Sequence, residues 1–259
     1  MQLIEQPAKA GMHWIKMGWM IYRKQPIALT TLFLSYLFAV SVLTLIPVLG
    51  VILPPLLVPG ITFGFFKAAE ATILDKPIFP SLLIAGFYEP GKPFNQQQAI
   101  ELLILGVFYL TGLSAILMLT SLVDGGVLLN MMSSADKVDL TDDQKVAMAE
   151  GLMLAICLYI PLSLILWHAP ALVVWEGQKA IKAVFFSAVA CWRNKMPFMV
   201  YGVGWLTLLL SIPMSLSILF NLLFEDPGLI RMLVLPVLIV MNTVFVCTFY
   251  PMYKATFQE

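Results

Sequence analysis

Residues 27–66 read IALTTLFLSYLFAVSVLTLIPVLGVILPPLLVPGITFGFF, a run of 40 residues without a charged side chain. A helix needs about 20 apolar residues to cross the hydrocarbon core of a bilayer. The run is therefore long enough for two membrane spans. Pro47-Val48-Leu49-Gly50 interrupts it near the middle, and proline with glycine is a strong turn signal. The sequence predicts spans at 27–46 and 50–68, joined by a tight hairpin.

Four further charge-free runs, of 22 to 29 residues each, follow along the chain. Hydrophobic residues make up 60% of the sequence and charged residues 12%, against roughly 45–50% and about 25% in soluble domains. These values exclude a soluble globular domain, a disordered chain and a nucleic-acid-binding protein. Continuous apolar runs also favour helices over a β-barrel, whose strands alternate in polarity. We therefore predict an all-α membrane protein, one integral membrane domain over residues 1–259, with spans at 27–46, 50–68, 101–123, 151–173, 198–222 and 232–253.

The charged residues predict the orientation of these spans. The formal net charge is zero, from 15 basic and 15 acidic residues. With six spans, twelve basic residues fall on the side that holds both termini, and Lys137, Lys145 and Arg231 fall on the other. Lysine and arginine accumulate on the cytoplasmic side of membrane proteins. We therefore expect a multi-pass membrane protein with both termini in the cytoplasm.

The largest loop on the opposite side, 124–150, is acidic. Asp136 and Asp139 are followed by Asp142 and Asp143, and this spacing differs from that of an EF-hand. Thr141-Asp142-Asp143-Gln144 instead predicts a capping box that opens the helix of the fourth span. We expect neither a metal nor a cofactor here or elsewhere in the chain.

Two segments outside the spans, 8–24 and 176–193, predict amphipathic helices in the membrane interface. In the first, basic residues share one face, and Ile15, Trp19 and Tyr22 lie on another. In the second, small residues from Ala180 to Cys191 form a ridge suited to close packing. Lipid headgroups are the expected contacts of the basic residues of these segments, Lys9, Lys16, Arg23, Lys24, Lys179, Lys182, Arg193 and Lys195.

The two interfacial segments also end alike. Tyr22-Arg23-Lys24-Gln25-Pro26 and Trp192-Arg193-Asn194-Lys195-Met196-Pro197 each run from an aromatic residue through arginine to a proline at a span. This similarity suggests three parallel repeats of an interfacial helix and a transmembrane hairpin, near 7–72, 77–180 and 176–255. Parallel repeats of this kind are related about the membrane normal. Chance similarity between apolar helices is the alternative.

Small residues predict close helix packing in the second span. Gly60, Gly64 and Ala68 follow one another at intervals of four, a spacing that lets two helices approach closely. Packing within the chain is the favoured interpretation, and dimerisation is the alternative.

Within the five charge-free runs, the strong polar groups are His168, Asn221 and Asn242. Polar groups at membrane depth are functional candidates by default, so together they define a candidate polar intramembrane site. For His168 the alternatives are a metal ligand, a proton relay or a hydrogen-bonded structural histidine. For the asparagines the alternative is hydrogen bonding between helices.

The sequence resembles a known family in three places: Ala190-Cys191-Trp192-Arg193-Asn194, Trp167-His168-Ala169-Pro170-Ala171-Leu172, and the segment 7–26 that leads into the first span. It is similar to an uncharacterised family of bacterial, mainly proteobacterial, multi-spanning inner-membrane proteins. That family is similar in layout to the membrane domain that accompanies some glycerophosphodiester phosphodiesterases. The resemblance implies an inner-membrane location and transfers no catalytic residue, and the phosphodiesterase domain itself is missing.

Motifs of hydrolases, zinc proteases and nucleotide-binding proteins are absent from the sequence. We therefore predict a non-enzymatic protein, an accessory, assembly or lipid-interacting factor. A transporter or channel for a lipid-like or small apolar substrate is the second hypothesis, and it predicts a polar cavity at the midplane. An intramembrane enzyme is the third, and it requires His168 to meet asparagine or cysteine groups from other spans. The expected partners are membrane lipids, with a protein partner or a homo-oligomer left open, and no nucleic acid.

Overall fold

The computed structural model describes residues 2–89, 91, 93–133, 140–223 and 227–258. The described residues leave out some of the charged residues named above. These are Lys92, Asp136, Lys137 and Asp139, together with the side chain of Arg231.

The described chain is mostly helical, which confirms the predicted all-α fold class. The helices are α1 Ala10–Lys24, α2 Pro26–Thr44, α3 Leu49–Ile73, α4 Gln96–Asp124, α5 Val127–Ser133, α6 Asp142–Leu166, α7 Ala169–Val174, α8 Ala180–Arg193, α9 Lys195–Leu223, α10 Pro227–Cys247 and α11 Phe249–Thr256. A 3₁₀ turn covers Pro80–Ile84. Two-residue strands, β1 Gln2–Leu3 and β2 Phe257–Gln258, pair antiparallel.

Six helical stretches in the described part of the chain are long and apolar enough to cross a membrane, which confirms the predicted number of spans. They are Pro26–Thr44, Leu49–Ile73, Gln96–Asp124, Asp142–Val174, Lys195–Leu222 and Met232–Thr256. Several extend past the predicted ends. In particular, α4 begins at Gln96 rather than near residue 101, so Glu101 and Asp124 belong to a helix, and both are buried.

The predicted hairpin between the first two spans is present. Helix α2 ends at Thr44 and α3 begins at Leu49. Val48 adopts a φ of 66°, and the Gly50 N–H donates to the Ile46 carbonyl at 2.8 Å. A Cβ atom on Gly50 would lie 2.6 Å from the Leu43 carbonyl oxygen, so the close approach of the two helices requires glycine here.

The predicted capping box at the start of α6 is also confirmed. The Gln144 N–H donates to Thr141 Oγ1 at 3.3 Å, and the Thr141 N–H donates to Gln144 Oε1 at 3.0 Å. These reciprocal bonds satisfy donors that every helix start leaves open. The acidic first turn, Asp142 and Asp143, also suits the positive end of the helix dipole.

Buried side chains concentrate on the side of the molecule that holds the N-terminal and C-terminal segments. Along α9, Phe198, Tyr201 and Trp205 are buried near the start of the helix, whereas none of residues 206–222 is buried. Helix α1 lies in this dense region and packs against α9 and α10. The core therefore sits at one end of the spans rather than along their whole length.

Hydrogen bonds hold the N-terminal segment to the C-terminal segment in this dense region. The Ile4 N–H donates to the Thr256 carbonyl at 2.9 Å, next to the β1–β2 pair. The Gln6 N–H donates to Asn194 Oδ1 at 2.7 Å, and Gln6 Nε2 donates to the Ala255 carbonyl at 2.6 Å. The two segments therefore lie side by side at the same end of the spans.

Each of the three predicted repeat segments contains a short helix or 3₁₀ turn followed by long helices. The threefold repeat itself stays a prediction, as does the single membrane domain over residues 1–259.

Candidate membrane-interface site

Helix α8 turns a face of small residues toward the protein. Ala180, Ala183, Ser187, Ala190 and Cys191 are all buried, as the predicted ridge requires. The helix packs against α6 and α7. Small side chains let α8 lie close to the place where the fourth span is interrupted between these two helices.

The interruption between α6 and α7 exposes backbone groups that α8 satisfies. Pro170 lacks an N–H and disfavours a continuous helix through this point. Ser187 Oγ accepts a hydrogen bond from the His168 N–H at 3.0 Å and donates to the Leu164 carbonyl at 3.3 Å. Cys191 Sγ lies 3.3 Å from the same carbonyl. Burial raises the pKa of the Cys191 thiol to about 12, so it stays protonated and can donate.

A buried carboxylate from another span caps the start of α8. Glu101 Oε2 accepts the Ala180 N–H at 2.8 Å, and Gln97 Nε2 donates to Glu101 Oε1 at 2.6 Å. The position suits a negative charge, because the helix start carries a partial positive charge. The sequence analysis placed Glu101 at the edge of a span without a role. Its only sequence signal was an acidic residue directly before an apolar run.

The opposite face of α8 is apolar and exposed. Ile181, Phe185 and Trp192 expose 71%, 61% and 75% of their surface, and their spacing places them on one face of the helix. The four basic residues predicted for this segment are also exposed: Lys179, Lys182, Arg193 and Lys195. An apolar stripe beside basic side chains is typical of a helix that lies in the membrane interface.

The tryptophan of this exposed face lies next to a cation. Lys195 Nζ lies 5.3 Å from the centroid of the Trp192 ring, within the range of a cation–π interaction. Tryptophan is enriched where the bilayer meets water, because its ring is apolar and its N–H is polar. The pair lies at the exposed surface of the protein, at the end of α8.

Helix α1 uses its apolar face differently from the way we predicted. Ile15 and Tyr22 are buried within the protein rather than presented to lipid, and only Trp19 of the three predicted apolar residues is exposed. Trp14 fills the contact with α9, where its ring lies 5.5 Å from that of Phe198. The interfacial interpretation of this apolar face is wrong, because spans of the chain itself cover it.

The basic residues of α1 remain at the surface, as expected. Lys9, Lys16, Arg23 and Lys24 are all exposed. Lys24 Nζ forms an ion pair with Asp75 at 3.0 Å and donates to the Ile73 carbonyl at 3.3 Å. Lys24 therefore also joins α1 to the end of α3.

The small residues of the second span serve packing within the chain. A side chain on Gly60 would overlap the Phe87 ring, and a Cβ atom on Gly64 would lie 2.7 Å from Leu83 Cα. Ala68 is buried as well. The contact partner is the segment around the 3₁₀ turn rather than another span. This agrees with the favoured interpretation over dimerisation.

His168 lies fully buried among aromatic rings. The centroids of Phe257, Phe198 and Tyr253 lie 5.4, 6.0 and 6.1 Å from the imidazole centroid. Neither ring nitrogen has a hydrogen-bond partner within the described part of the chain. Among the described residues, the backbone N–H of His168 is bonded to Ser187, and the hydrogen-bonded imidazole stays a prediction. Among the described residues, no group of three His, Cys, Asp or Glu side chains could hold a metal ion.

Asn221 and Asn242 do not join His168. Asn221 Nδ2 donates to the Ser217 carbonyl at 2.7 Å, and Asn242 Nδ2 donates to the Leu238 carbonyl at 2.8 Å. Both bonds lie within one helix, so the predicted interhelical bonding is wrong. A helix rises about 1.5 Å per residue, which puts Asn221 roughly 34 Å along α9 from Phe198 beside the imidazole.

Tyrosines supply a polar contact between spans that the sequence analysis missed. Tyr109 Oη on α4 and Tyr159 Oη on α6 lie 3.2 Å apart. These two tyrosines lie 50 positions apart, and nothing in their spacing predicts the contact.

No family model matches the sequence, and no solved structure matches it. A probable inner membrane protein of Burkholderia thailandensis is 38% identical over 259 residues, which cover 99% of this chain and 94% of that protein. This similarity spans the whole six-span architecture. The chain therefore belongs to the same family of inner membrane proteins as this relative.

Proposed function

We propose that the protein is a non-enzymatic, lipid-interacting factor of the bacterial inner membrane, with an accessory or assembly role. The observation that carries the proposal is the surface of α8, in which Ile181, Phe185 and Trp192 form an exposed apolar stripe beside four exposed basic residues. The small-residue ridge and the Glu101 cap fix this helix on the spans. The protein therefore presents a rigid amphipathic surface at the level of the lipid headgroups.

The orientation with both termini in the cytoplasm forms part of the proposal. It rests on the excess of basic residues on the side of the molecule that holds the termini. The cytoplasmic leaflet is anionic, and each basic residue near its surface contributes about 1 kcal/mol of attraction. The exposed basic residues of α1 and α8 then face anionic headgroups.

The proposal also covers the layout of the protein, its cofactors and its partners. We infer that the layout is similar to that of the membrane domains that accompany some glycerophosphodiester phosphodiesterases. We also infer that the protein works without a cofactor or nucleic acid. A protein partner or a second copy of the chain remains compatible with the exposed surface of α8.

The lipid test uses the full chain in nanodiscs of mixed phosphatidylcholine and phosphatidylglycerol. Native mass spectrometry then measures the lipids that stay bound after mild activation. We expect wild type to be enriched in phosphatidylglycerol, and a fourfold glutamine variant of Lys179, Lys182, Arg193 and Lys195 to lose most of this enrichment. Lys145→Gln is the control on the opposite side of the spans. Equal enrichment in wild type and the fourfold variant would overturn the proposal.

The orientation test uses a cysteine-free background with single cysteines at Lys9 or Asp143. A membrane-impermeant maleimide is added to intact cells or to inverted vesicles. We expect the Lys9→Cys variant to react only in inverted vesicles and Asp143→Cys only from outside the inner membrane. The reverse pattern would contradict the proposed orientation.

A second function, transport of a lipid-like substrate, is favoured by one observation. Tyr109 and Tyr159 bring hydroxyl groups from two spans within 3.2 Å of each other. A polar group at membrane depth is a functional candidate. We expect a double Tyr109→Phe and Tyr159→Phe variant to lower lipid exchange between leaflets in reconstituted vesicles if transport is the function. If the double variant leaves lipid exchange between the leaflets unchanged, transport is rejected and the accessory or assembly function remains.

A further inference from the structure

The three short segments that precede the hairpins pack in a cyclic order. Helix α1 packs against α9 and α10, the 3₁₀ turn packs against α2 and α3, and α8 packs against α4 and α6. Each short segment therefore lies on the hairpin of the preceding repeat, and α1 completes the circle on the last hairpin. This order is expected for three parallel repeats arranged around the membrane normal.

Aromatic residues at equivalent positions of the three repeats meet one another. Phe63, Trp175 and Tyr250 each lie four positions before a Lys-Ala pair, at 67, 179 and 254. The Trp175 ring lies 5.1 Å from the Phe63 ring and 5.8 Å from the Tyr250 ring, measured between centroids. Equivalent residues of a cyclic arrangement meet close to its axis, so these rings lie near the axis of the six spans.

The spans close this ring at two of the three junctions between repeats. Helix α3 packs against α4, and α10 packs against α2. At the third junction, α6 and α9 form no comparable packed pair within the described chain. They approach each other at one end, where the Trp167 ring after α6 lies 5.9 Å from the Phe198 ring of α9. We call the opening between α6 and α9 beyond this contact the seam.

Both walls of the seam are apolar and exposed. The wall residues of α6 lie on the helix face opposite Gly151, which packs against Asp124 of α4. Those of α9 lie opposite Tyr201, whose ring lies 6.1 Å from that of Phe245 on α10. The wall residues, which all expose more than half of their surface, are Met153, Ile156 and Ile160 on α6 and Val203, Leu206 and Leu210 on α9. Acyl chains suit such walls, because the hydrocarbon core of a bilayer contains no water.

The end of the seam next to α8 is positively charged. Residues 177–223 contain four basic residues and no acidic residue. Lys195, at the start of α9, is exposed and lies beside Trp192. Arg193 lies 4.0 Å from Glu5, so Lys195 is the cation that we assign to a headgroup. An ammonium group has three donors, and an anionic phosphate accepts strong hydrogen bonds from such a group.

We propose that the seam holds one phospholipid, with its acyl chains between α6 and α9 and its anionic headgroup at Lys195. At the two other junctions, neighbouring spans pack directly against each other. At the seam the lipid takes the place of this contact, and it enters sideways from the bilayer. The proposal rests on the lipid-interacting function above and adds a bound lipid to the surface of α8.

The test places the photoreactive residue p-benzoylphenylalanine at Leu206 of the full chain. The protein is reconstituted in mixed phosphatidylcholine and phosphatidylglycerol, extracted in mild detergent, washed to remove loosely held lipid and irradiated. Mass spectrometry then measures the lipid joined to the protein. The matched control is Phe38, an exposed apolar residue at a similar distance from the start of its own helix. We expect at least about tenfold more lipid adduct at Leu206 than at Phe38, a ratio that corresponds to about 1.4 kcal/mol.

The headgroup is tested by Lys195→Gln in the same photoreactive protein. This change should lower the ratio of phosphatidylglycerol to phosphatidylcholine adducts about fivefold, since one basic residue contributes about 1 kcal/mol of attraction. Lys76→Gln, at an exposed lysine after α3, is the control and should leave the ratio unchanged. The same ratio in Lys195→Gln and wild type would overturn the headgroup assignment.

A second position keeps the test decisive if the Leu206 variant fails to fold. Ile156, on the opposite wall, should give the same lipid adduct when it carries the photoreactive residue. An adduct between Leu206 and a peptide of α6 would show that protein closes the seam, and an adduct with a second copy of the chain would show a different occupant. Either result overturns the proposal, as does the absence of lipid adducts at both positions.

The outcomes separate this proposal from the function proposed for α8. Phosphatidylglycerol enrichment in nanodiscs is measured without the photoreactive residue. If this enrichment persists while neither wall of the seam joins lipid, the seam is rejected and the α8 function stands. If the enrichment is absent while Leu206 still joins lipid, the α8 function fails and the acyl-chain site in the seam is retained.

Discussion

Helices α1 and α8 follow similar sequence patterns, yet they use their faces in opposite ways. Helix α1 turns its large apolar residues inward, and Trp14 keeps only 1% of its surface exposed. Helix α8 turns small residues inward and its large apolar residues outward. At matching positions of the shared ending, Tyr22 is buried and Trp192 is exposed. One helix is packed into the bundle, and the other exposes its large apolar residues at the surface of the protein.

The difference follows from the size of the residues that meet the spans. Gly11 and Gly18 let the backbone of α1 approach α9 and α10, which brings Trp14 and Ile15 into the core. The small ridge of α8 reaches the break in the fourth span and leaves no space for larger groups on that side. An amphipathic pattern alone therefore does not say whether protein or lipid covers the apolar face.

The largest effect is expected at Gly18. A Cβ atom there would overlap Thr248 Cγ2 and lie 3.0 Å from the Val244 carbonyl oxygen, so Gly18→Val should displace α1 from α10. We expect loss of most folded protein, measured as monodisperse yield after detergent extraction. Gly202→Val is the control, because no atom lies near a Cβ at that position. A well-folded Gly18→Val protein would mean that α1 is not fixed to the spans.

The two tryptophans give the next largest contrast. Trp14→Ala removes a buried ring and should cost about 3–5 kcal/mol of stability. Trp192→Ala removes an exposed ring and should leave the melting temperature in detergent almost unchanged. Thermal unfolding followed by intrinsic fluorescence measures both. Similar melting temperatures for the two variants would contradict the conclusion that Trp14 stabilises the core and Trp192 does not.

A smaller effect is expected where α8 meets the interrupted span. Ser187→Ala leaves the buried His168 N–H without its acceptor, which should cost about 1–3 kcal/mol. Ser41→Ala on α2 is the matched control, since its hydroxyl bonds only within its own helix and is exposed. Both are compared by thermal unfolding. An equal, negligible loss in the two variants would show that Ser187 does not fix α8.

The smallest effect on stability is expected at the surface ion pair of α1. Lys24 and Asp75 are both largely exposed, so Lys24→Gln should change the unfolding free energy by no more than about 1 kcal/mol. Raising the salt concentration should reduce this difference further. A larger, salt-independent loss would assign Lys24 a structural role comparable to that of Trp14.

The sequence was sufficient for features that depend on local pattern. Charge-free runs predicted the six spans, Pro47 to Gly50 predicted the hairpin, and Thr141 with Gln144 predicted the capping box. Each of these depends on residues that are neighbours in the chain. The small ridge of α8 was also predicted correctly, because its spacing alone places those residues on one face.

Features that join distant residues were beyond the sequence. The contact of Glu101 with Ala180 links positions 79 apart, and the pairing of Tyr109 with Tyr159 links positions 50 apart. The apolar face of α1 is buried because Gly11 and Gly18 allow close packing against residues near 197 and 248, which are distant in the sequence. The asparagines were misjudged because a polar side chain in a helix can bond its own backbone as readily as a neighbouring helix.

The hydrogen bonds that join the two ends of the chain have a consequence for biosynthesis. Gln6 bonds to Ala255, 249 positions later, and ribosomes add about 5–20 residues per second. The N-terminal segment therefore waits roughly 12 to 50 s for its partner after it leaves the ribosome. Gln6 can therefore take its final place only after α11 has been synthesised, and its hydrogen bond to Ala255 is among the last contacts of the fold to form.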